Sequence, residues 1–372
     1  MPPGRGRRAG VGRYPEHVST PTSSPARGPR LALAAGCAAL TLALASACST
    51  GDDSSVEPPG SDGAERALIF EGGGREVSAT LTLPLRARGP LPGALIISGS
   101  GPTDRDGNSP LRPEAETSWN LARVLAEAGV ASLRYDKLGS GESAAELDSE
   151  APVDPQVFDD EVAAAYEELV SQPEIDPERT VVVGHSEGAL YALRAHDIVD
   201  AEPARMLVAP PGTRYLDLID RQITEQARQA EATGQLPEGQ AVELLSAARY
   251  GRAEVRAGRE LDDDTDSFGV YTPQNQDFLA WIDSFDPVDL AADLPADTPV
   301  LVLWGEQDAQ VAGEEVDRLM TGLPDATRVD LPGADHILRE FRDEPGATVL
   351  DSDRPFSADV APAVTEFLDT AW

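Results

Sequence analysis

Lysine is almost missing from this chain. Lys137 stands alone among 30 basic residues, and the other basic residues are arginines. Alanine is abundant too, so the bias reads as that of a GC-rich genome and not as chemistry. Basic charge is scarce as a whole: 65 acidic residues leave a net charge of −35. Phosphates repel such a field, which excludes nucleic acid and an anionic membrane surface as partners. The acidity reads as a solubility device, with a preference for cationic substrates as the lesser alternative. Cysteine occurs only at Cys37 and Cys48. The body beyond them has no disulfide, unless Cys48 itself pairs, and must be held by its core. A body of about 300 residues is large enough for that. Histidine is also rare, limited to His17, His185, His196 and His336. Any chemistry that needs an imidazole has few places to find one.

The N-terminal stretch differs from the rest. Arg5, Arg7, Arg8, Arg13, Arg27 and Arg30 make it basic, and Leu31 to Ala47 carries no charge. A basic region, an apolar run and small residues at its end describe a secretory signal over residues 1–47. Its end, Leu44-Ala45-Ser46-Ala47-Cys48, resembles a bacterial lipoprotein signal, which implies lipidation at Cys48 and a surface or periplasmic lipoprotein. The pattern prefers Leu three places before the cysteine, where Ala45 stands here. Cys37 also fits the pattern but leaves too short an apolar run before it. The basic region is long, so a start near Val18 is considered. Cleavage without lipid, an uncleaved anchor and a twin-arginine signal at Arg7-Arg8 are the alternatives. Residues 48–64, rich in Ser, Pro, Gly and Asp, read as a flexible tether.

From residue 65 onward strands and helices alternate. Ala67 to Phe70 and Val77 to Leu83, around Gly72-Gly73-Gly74, predict an opening hairpin. Ala94–Ser98, Val130–Arg134, Thr180–Val183, Met206–Ala209, Val300–Trp304 and Thr327–Leu331 read as strands. Ser118–Ala128, Val157–Val170 and Ala361–Leu368 read as helices. This rhythm predicts an α/β fold with a mostly parallel central sheet and helices on both faces. One segment breaks it. Between Pro210 and Asp286 no strand-like run occurs, while Leu216, Ile219 and Ile223 form one helical face and Val242, Leu245 and Arg249 another. Residues 211–286 are therefore expected to be a helical lid. The run Asp262-Asp263-Asp264-Thr265-Asp266 reads as a solvated loop, with calcium binding as the minor alternative.

The most informative motif is Gly184-His185-Ser186-Glu187-Gly188. It follows the β-branched run Thr180–Val183 and precedes the helix former Ala189-Leu190-Tyr191-Ala192-Leu193. A strand, a Gly-x-Ser-x-Gly turn and a helix are the parts of a nucleophile elbow, which makes Ser186 the candidate nucleophile. A serine needs a base, and the base needs a carboxylate. His17 lies in the leader, His185 adjoins the serine and is expected to point elsewhere, and His196 lies far along the following helix. His336, in a loop after the last strand, remains as the base. The carboxylate is expected between serine and histidine in the chain. Asp308 is the candidate, Glu306 the fallback, and Asp335 a loop hydrogen-bonder. Two backbone N–H groups are expected to form an oxyanion hole. One is that of Glu187. The other is that of Ser100, in the loop Gly99-Ser100-Gly101-Pro102-Thr103-Asp104-Arg105-Asp106-Gly107. That loop lacks the glycine and terminal acid of an EF-hand. No metal and no cofactor are expected.

Together these residues resemble the α/β-hydrolase superfamily from about Leu68 to the C-terminus. Within it the chain is similar to serine-aminopeptidase-like and cinnamoyl/feruloyl-esterase-like bacterial hydrolases. The resemblance rests on the Gly99–Gly107 loop, the segment Arg134-Tyr135-Asp136-Lys137-Leu138-Gly139-Ser140-Gly141-Glu142-Ser143, and the elbow. The Arg134–Ser143 segment is expected to pack beneath the site. The resemblance implies a serine hydrolase acting on a small-molecule carboxylic ester. An amide or short peptide substrate, a lyase or haloperoxidase-like use of the fold, and a non-catalytic ligand-binding lipoprotein are the alternatives. Membrane contact is expected only through the N-terminal anchor, and the sequence says nothing of oligomeric state.

Overall fold

Gly73 and Gly74 turn the chain with φ of 58° and 78°, the two positive angles that a tight two-residue hairpin demands. The hairpin joins β1 (Gly63–Gly72) to β2 (Arg75–Pro84) in full antiparallel register. β1 thus begins two residues inside the stretch read as tether. The computed structural model describes residues 63–85, 89–147, 151–237, 239–262, 269–341 and 350–372. The segment 1–47 read as a signal, Cys48 and most of the acidic run at 262–266 lie outside the described residues. Among the described residues no helix is long and apolar enough to cross a membrane.

Six further strands complete one sheet: β3 (Leu91–Ile97), β4 (Ala131–Tyr135), β5 (Ile175–His185), β6 (Ala204–Val208), β7 (Val300–Gly305) and β8 (Thr327–Leu331). The order is β1-β2-β4-β3-β5-β6-β7-β8, antiparallel at β1–β2 and β2–β4 and parallel elsewhere. The connecting helices are α1 (Thr117–Glu127), α2 (Gln156–Ser171), α3 (Gly188–Ile198), α4 (Tyr215–Ala232), α5 (Gln240–Arg256), α6 (Gln276–Ile282), α7 (Pro287–Ala292), α8 (Gly313–Met320) and α9 (Val360–Ala371). This is the expected α/β-hydrolase architecture. The short α7 escaped the periodicity reading because it has under two turns of apolar pattern. Its start is nonetheless written locally: the Asp286 side chain accepts from the Val288 N–H and Pro287 opens the helix, the usual cap and first-turn pair.

The inner parallel strands are largely apolar on both sides because helices cover both faces, whereas the edge strand β8 is half-open to solvent. Leu95, Ile97, Val182, Leu207 and Val302 face α2, α3 and α8 through residues such as Leu169, Leu193 and Leu319. Ile96, Val181, Val183, Met206 and Leu303 face α1 and α9 through Leu121, Leu125, Val364 and Phe367. Each such side chain contributes roughly 1.5–3 kcal/mol on burial.

The segment between β6 and β7 holds α4, α5, α6 and the short α7, with no strand among its described residues. It has a small core of its own, in which Leu216, Ile219 and Ile223 of α4 meet Phe278, Leu279 and Ile282 of α6 and Leu190 of α3. The face expected on α5 is corrected. Val242 is 65% exposed, and Ala241, Ala248, Gly251 and Val255 are buried instead. Small residues let α5 lie close, and a Cβ at Gly251 would press into the Tyr271 ring. Apolar periodicity alone misses such a face, since close approach counts for more there than side-chain size.

The chain winds from β3 to β4 in one direction and continues from β5 in the other. The reversal leaves β3 and β5 adjacent and opens a crevice at their carboxyl ends. Ile97 pairs with Gly184 there, so the loop after β3 lies beside the turn after β5.

Candidate active site

The turn after β5 carries Ser186 at φ 54°. That is left-handed backbone, which costs a serine of order 1–3 kcal/mol and persists only where the surroundings enforce it. The enforcement is visible. The Ser186 N–H donates to Val208 O at 2.8 Å, and Ser186 O accepts from Ala189 N at 2.9 Å. A Cβ on Gly184 would collide with the Gly188 carbonyl, and one on Gly188 with the Ile97 carbonyl. Both elbow glycines are therefore steric requirements of the crossing between β3, β5 and α3. Ser186 itself is half-buried at the start of α3, whose first N–H groups face the crevice end of the sheet.

Two loops bring the other expected residues together. The loop after β7 carries Asp308 and the loop after β8 carries His336. Gly305 allows their approach, because a Cβ there would meet the carbonyls of Ala334 and Asp335. The Asp308 carboxylate divides its work. Its Oδ2 lies 2.8 Å from His336 Nδ1, while its Oδ1 accepts from Gln310 N at 2.7 Å and Val311 N at 2.9 Å. Asp308 and His336 are both buried, so little water screens the pair. Glu306 is exposed. Asp335 accepts from the N–H groups of Ile337 and Arg339 through Oδ1 and from Arg354 at 2.7 Å through Oδ2, which makes it a hydrogen-bonder of the loop. His196 is half-buried beside Asp197 at the end of α3, away from this group.

Glu187 follows Ser186 in the turn, and the loop that carries Ser100 lies against Ser186. The Gly99 position packs against Ser186, where an added Cβ would stand 3.3 Å from the Ser186 Cβ. Among the described residues, no protein acceptor takes the N–H of Ser100 or of Glu187. The Ser100 carbonyl accepts from the Thr103 hydroxyl at 2.8 Å, and the Ser98 hydroxyl donates to Asp104 O at 2.8 Å. These bonds hold the loop while leaving the Ser100 N–H open.

Three residues gained a role that the sequence reading did not assign. His185 turns behind the site. Its Nε2 lies 2.9 Å from the main-chain oxygen of His336, and burial pulls its pKa down to about 3. It is thus a neutral ring that donates to the His336 loop. Lys137, placed with a segment expected only to pack beneath the site, is buried and donates from Nζ to Gly99 O. Its Nζ also lies 3.6 Å from Glu187 Oε1. Tyr215, at the start of α4, donates its hydroxyl to Glu187 Oε2 at 2.5 Å. Burial, with the Glu187 carboxylate beside it, pushes the Tyr215 pKa well up, so the hydroxyl stays a donor. A signal for Lys137 lay in plain view: a chain that writes nearly every cation as arginine kept one lysine. Tyr215 had no such signal, because its partner is 28 residues away.

The rest of the Arg134–Ser143 segment packs as expected. Arg134 bonds Thr82, Glu65 and Asp106, and the Asp136 carboxylate accepts from the N–H groups of Arg105 and Glu142. Among the described residues no group of three or more His, Cys, Asp or Glu side chains could hold a metal ion.

Comparison with known proteins agrees with this architecture. The model of the alpha/beta hydrolase family matches residues 94–351. Est1E from Butyrivibrio proteoclasticus, solved with ferulic acid bound, is 19% identical with a TM-score of 0.50, covering 82% of this chain and 99% of its own. A proline iminopeptidase from Mycobacterium smegmatis is 18% identical at TM-score 0.50, covering 82% of this chain and 98% of its own. A hypothetical protein from Pseudomonas aeruginosa is 17% identical at TM-score 0.50, covering 85% and 96%. At these identities the likeness is one of fold. No curated protein matches the chain. The family match spans well over half of the chain, which therefore belongs to the alpha/beta hydrolase family. That membership supports hydrolysis as the class of chemistry.

Proposed function

We propose that this alpha/beta hydrolase is a serine hydrolase that cleaves a carboxylic ester through an acyl-enzyme. The observation that carries the reading is the buried Asp308–His336 pair, 2.8 Å apart, in the same crevice as a serine at a strained elbow. Ser186 Oγ attacks the ester carbonyl while His336 Nε2 takes its proton. Asp308 holds the Nδ1–H tautomer and stabilises the imidazolium. The N–H groups of Ser100 and Glu187 receive the developing oxyanion. His336 then returns its proton to the leaving alkoxide, and a water activated by the same histidine releases the acid and restores Ser186.

An ester is favoured over an aminoacyl amide. The carboxylate next to the nucleophile, Glu187, is already engaged by Lys137 and Tyr215 and is not free to hold a substrate ammonium. The helices α4 to α6 act in this reading as a lid whose contact with the site runs through Tyr215. The test is covalent labelling by a fluorophosphonate probe. Labelling of the wild type that vanishes in Ser186→Ala is expected, and an unlabelled wild type would sink the reading. Comparing p-nitrophenyl esters with aminoacyl p-nitroanilides then separates ester from amide.

The proposal extends to location. The basic and apolar leader over residues 1–47 directs export, and Cys48 takes a lipid anchor. Mass spectrometry of the mature N-terminus should show a diacylated cysteine; a plain cleaved end would argue for secretion instead.

A further inference from the structure

We propose that Lys137 is a positioning residue that sets the direction of the Gly99–Ser100 peptide, and with it the aim of the Ser100 N–H toward the oxyanion. This rests on the serine-hydrolase reading of the site. Gly99 O and Ser100 N–H belong to one peptide unit. In a planar trans peptide the carbonyl and the N–H point to opposite sides. The buried ammonium of Lys137 donates to Gly99 O, which directs the Ser100 N–H away from Lys137. Among the described residues Lys137 is the one donor to that oxygen. Without it a peptide next to glycine is free to rotate, because glycine populates both halves of φ space. The loop's own bonds do not replace it. They act on the following peptide, through the Ser100 carbonyl, and on Ser98.

The ammonium is itself held from the other side of the site. Glu187 Oε1 lies 3.6 Å from Nζ, and the N–H of Glu187 is the second donor. One lysine thus connects both walls of the hole. Its charge also polarises the Gly99 carbonyl, which strengthens the N–H of the same amide as a donor. A compact point charge suits a single carbonyl in a tight space, whereas the planar fork of arginine would spread its donors. That accounts for lysine at this position in a chain that otherwise uses arginine.

The test uses the full chain with p-nitrophenyl acetate as substrate and phenylboronic acid as an inhibitor whose tetrahedral adduct places an oxygen in the hole. Fluorophosphonate titration counts working sites. The double variant Lys137→Met/Glu187→Gln removes both partners and leaves no lone buried charge. Expected is a fall in kcat of about tenfold to a hundredfold, somewhat less than deletion of a donor. KM should hold, and the boronate Ki should rise by the factor that kcat/KM falls. An unchanged kcat per titrated site, or a fall without change in the boronate Ki, overturns the proposal. Should the double variant not fold, Lys137→Arg decides by the same split, since it keeps the charge but not the single-point contact. A wild type that never reacts with the fluorophosphonate overturns the serine-hydrolase reading and this proposal with it. A reactive wild type with unaffected variants overturns this proposal alone.

Discussion

His185 and His336 stand back to back, with His185 Nε2 2.9 Å from the His336 carbonyl oxygen and the two rings 5.0 Å apart. The residue before Ser186 thus holds the main chain of His336. The elbow and the His336 loop are one unit in this respect, although 151 residues separate them.

The burial of His185 implies a pH dependence of stability. Burial lowers the His185 pKa from its ordinary 6.5 to about 3. Between those values the unfolded chain binds a proton that the folded chain does not. Stability contributed here is therefore complete above the unfolded value and is lost as pH falls toward the folded one. Urea unfolding at about pH 7.5 and about pH 5 should show a larger loss for wild type than for His185→Gln, by about 2 kcal/mol. Equal losses would mean that His185 does not stay neutral.

Asp308→Asn should fold and yet lose activity about a thousandfold or more. Its oxygen would keep the N–H groups of Gln310 and Val311, which turns the amide NH2 toward His336 Nδ1. The ring must then accept at Nδ1 and carry its proton on Nε2, where it cannot take one from Ser186. Steady-state kcat at equal circular dichroism checks this; a loss below tenfold would contradict the assigned role.

Tyr215→Phe removes the hydroxyl that α4 sends to Glu187. A buried carboxylate oxygen loses its partner, at a cost of about 1–3 kcal/mol. The loss should concentrate in the α4–α6 segment, seen as faster hydrogen exchange in α4 than in α9. Uniform acceleration across both helices would argue against Tyr215 as the tie between that segment and the site.

Gly188→Ala places a methyl group against the carbonyls of Ile97 and Ser98. Backbone cannot yield there as a side chain can, so about 3 kcal/mol or more of stability should be lost. Gly234→Ala is a suitable contrast: nothing lies within 4 Å of its Cβ position, and only its φ of 75° opposes the change. A denaturation midpoint for Gly188→Ala at or above that of Gly234→Ala would contradict the packing argument.

Much of this was legible without coordinates. Apolar runs and helical spacing marked the strands and most helices because a two-sided parallel sheet writes hydrophobicity plainly. Ser186, Asp308 and His336 stood out because strand ends, glycines and a shortage of histidine left few other places for them. The small-residue face of α5 was not legible, since close packing there replaces apolar bulk. Nor was the part played by His185, whose ring could be assigned only by knowing what lies behind the elbow.

The order of strands and helices, and the residue types able to carry hydrolysis, were determined by the sequence alone, through periodicity and turn chemistry that act over a few neighbours. Tertiary structure decided which groups meet. Lys137 finds Gly99 across 38 residues and Tyr215 finds Glu187 across 28. These meetings depend on the winding reversal between β3 and β5 and on the docking of α4. Both are outcomes of packing, and no local stretch of chain encodes them.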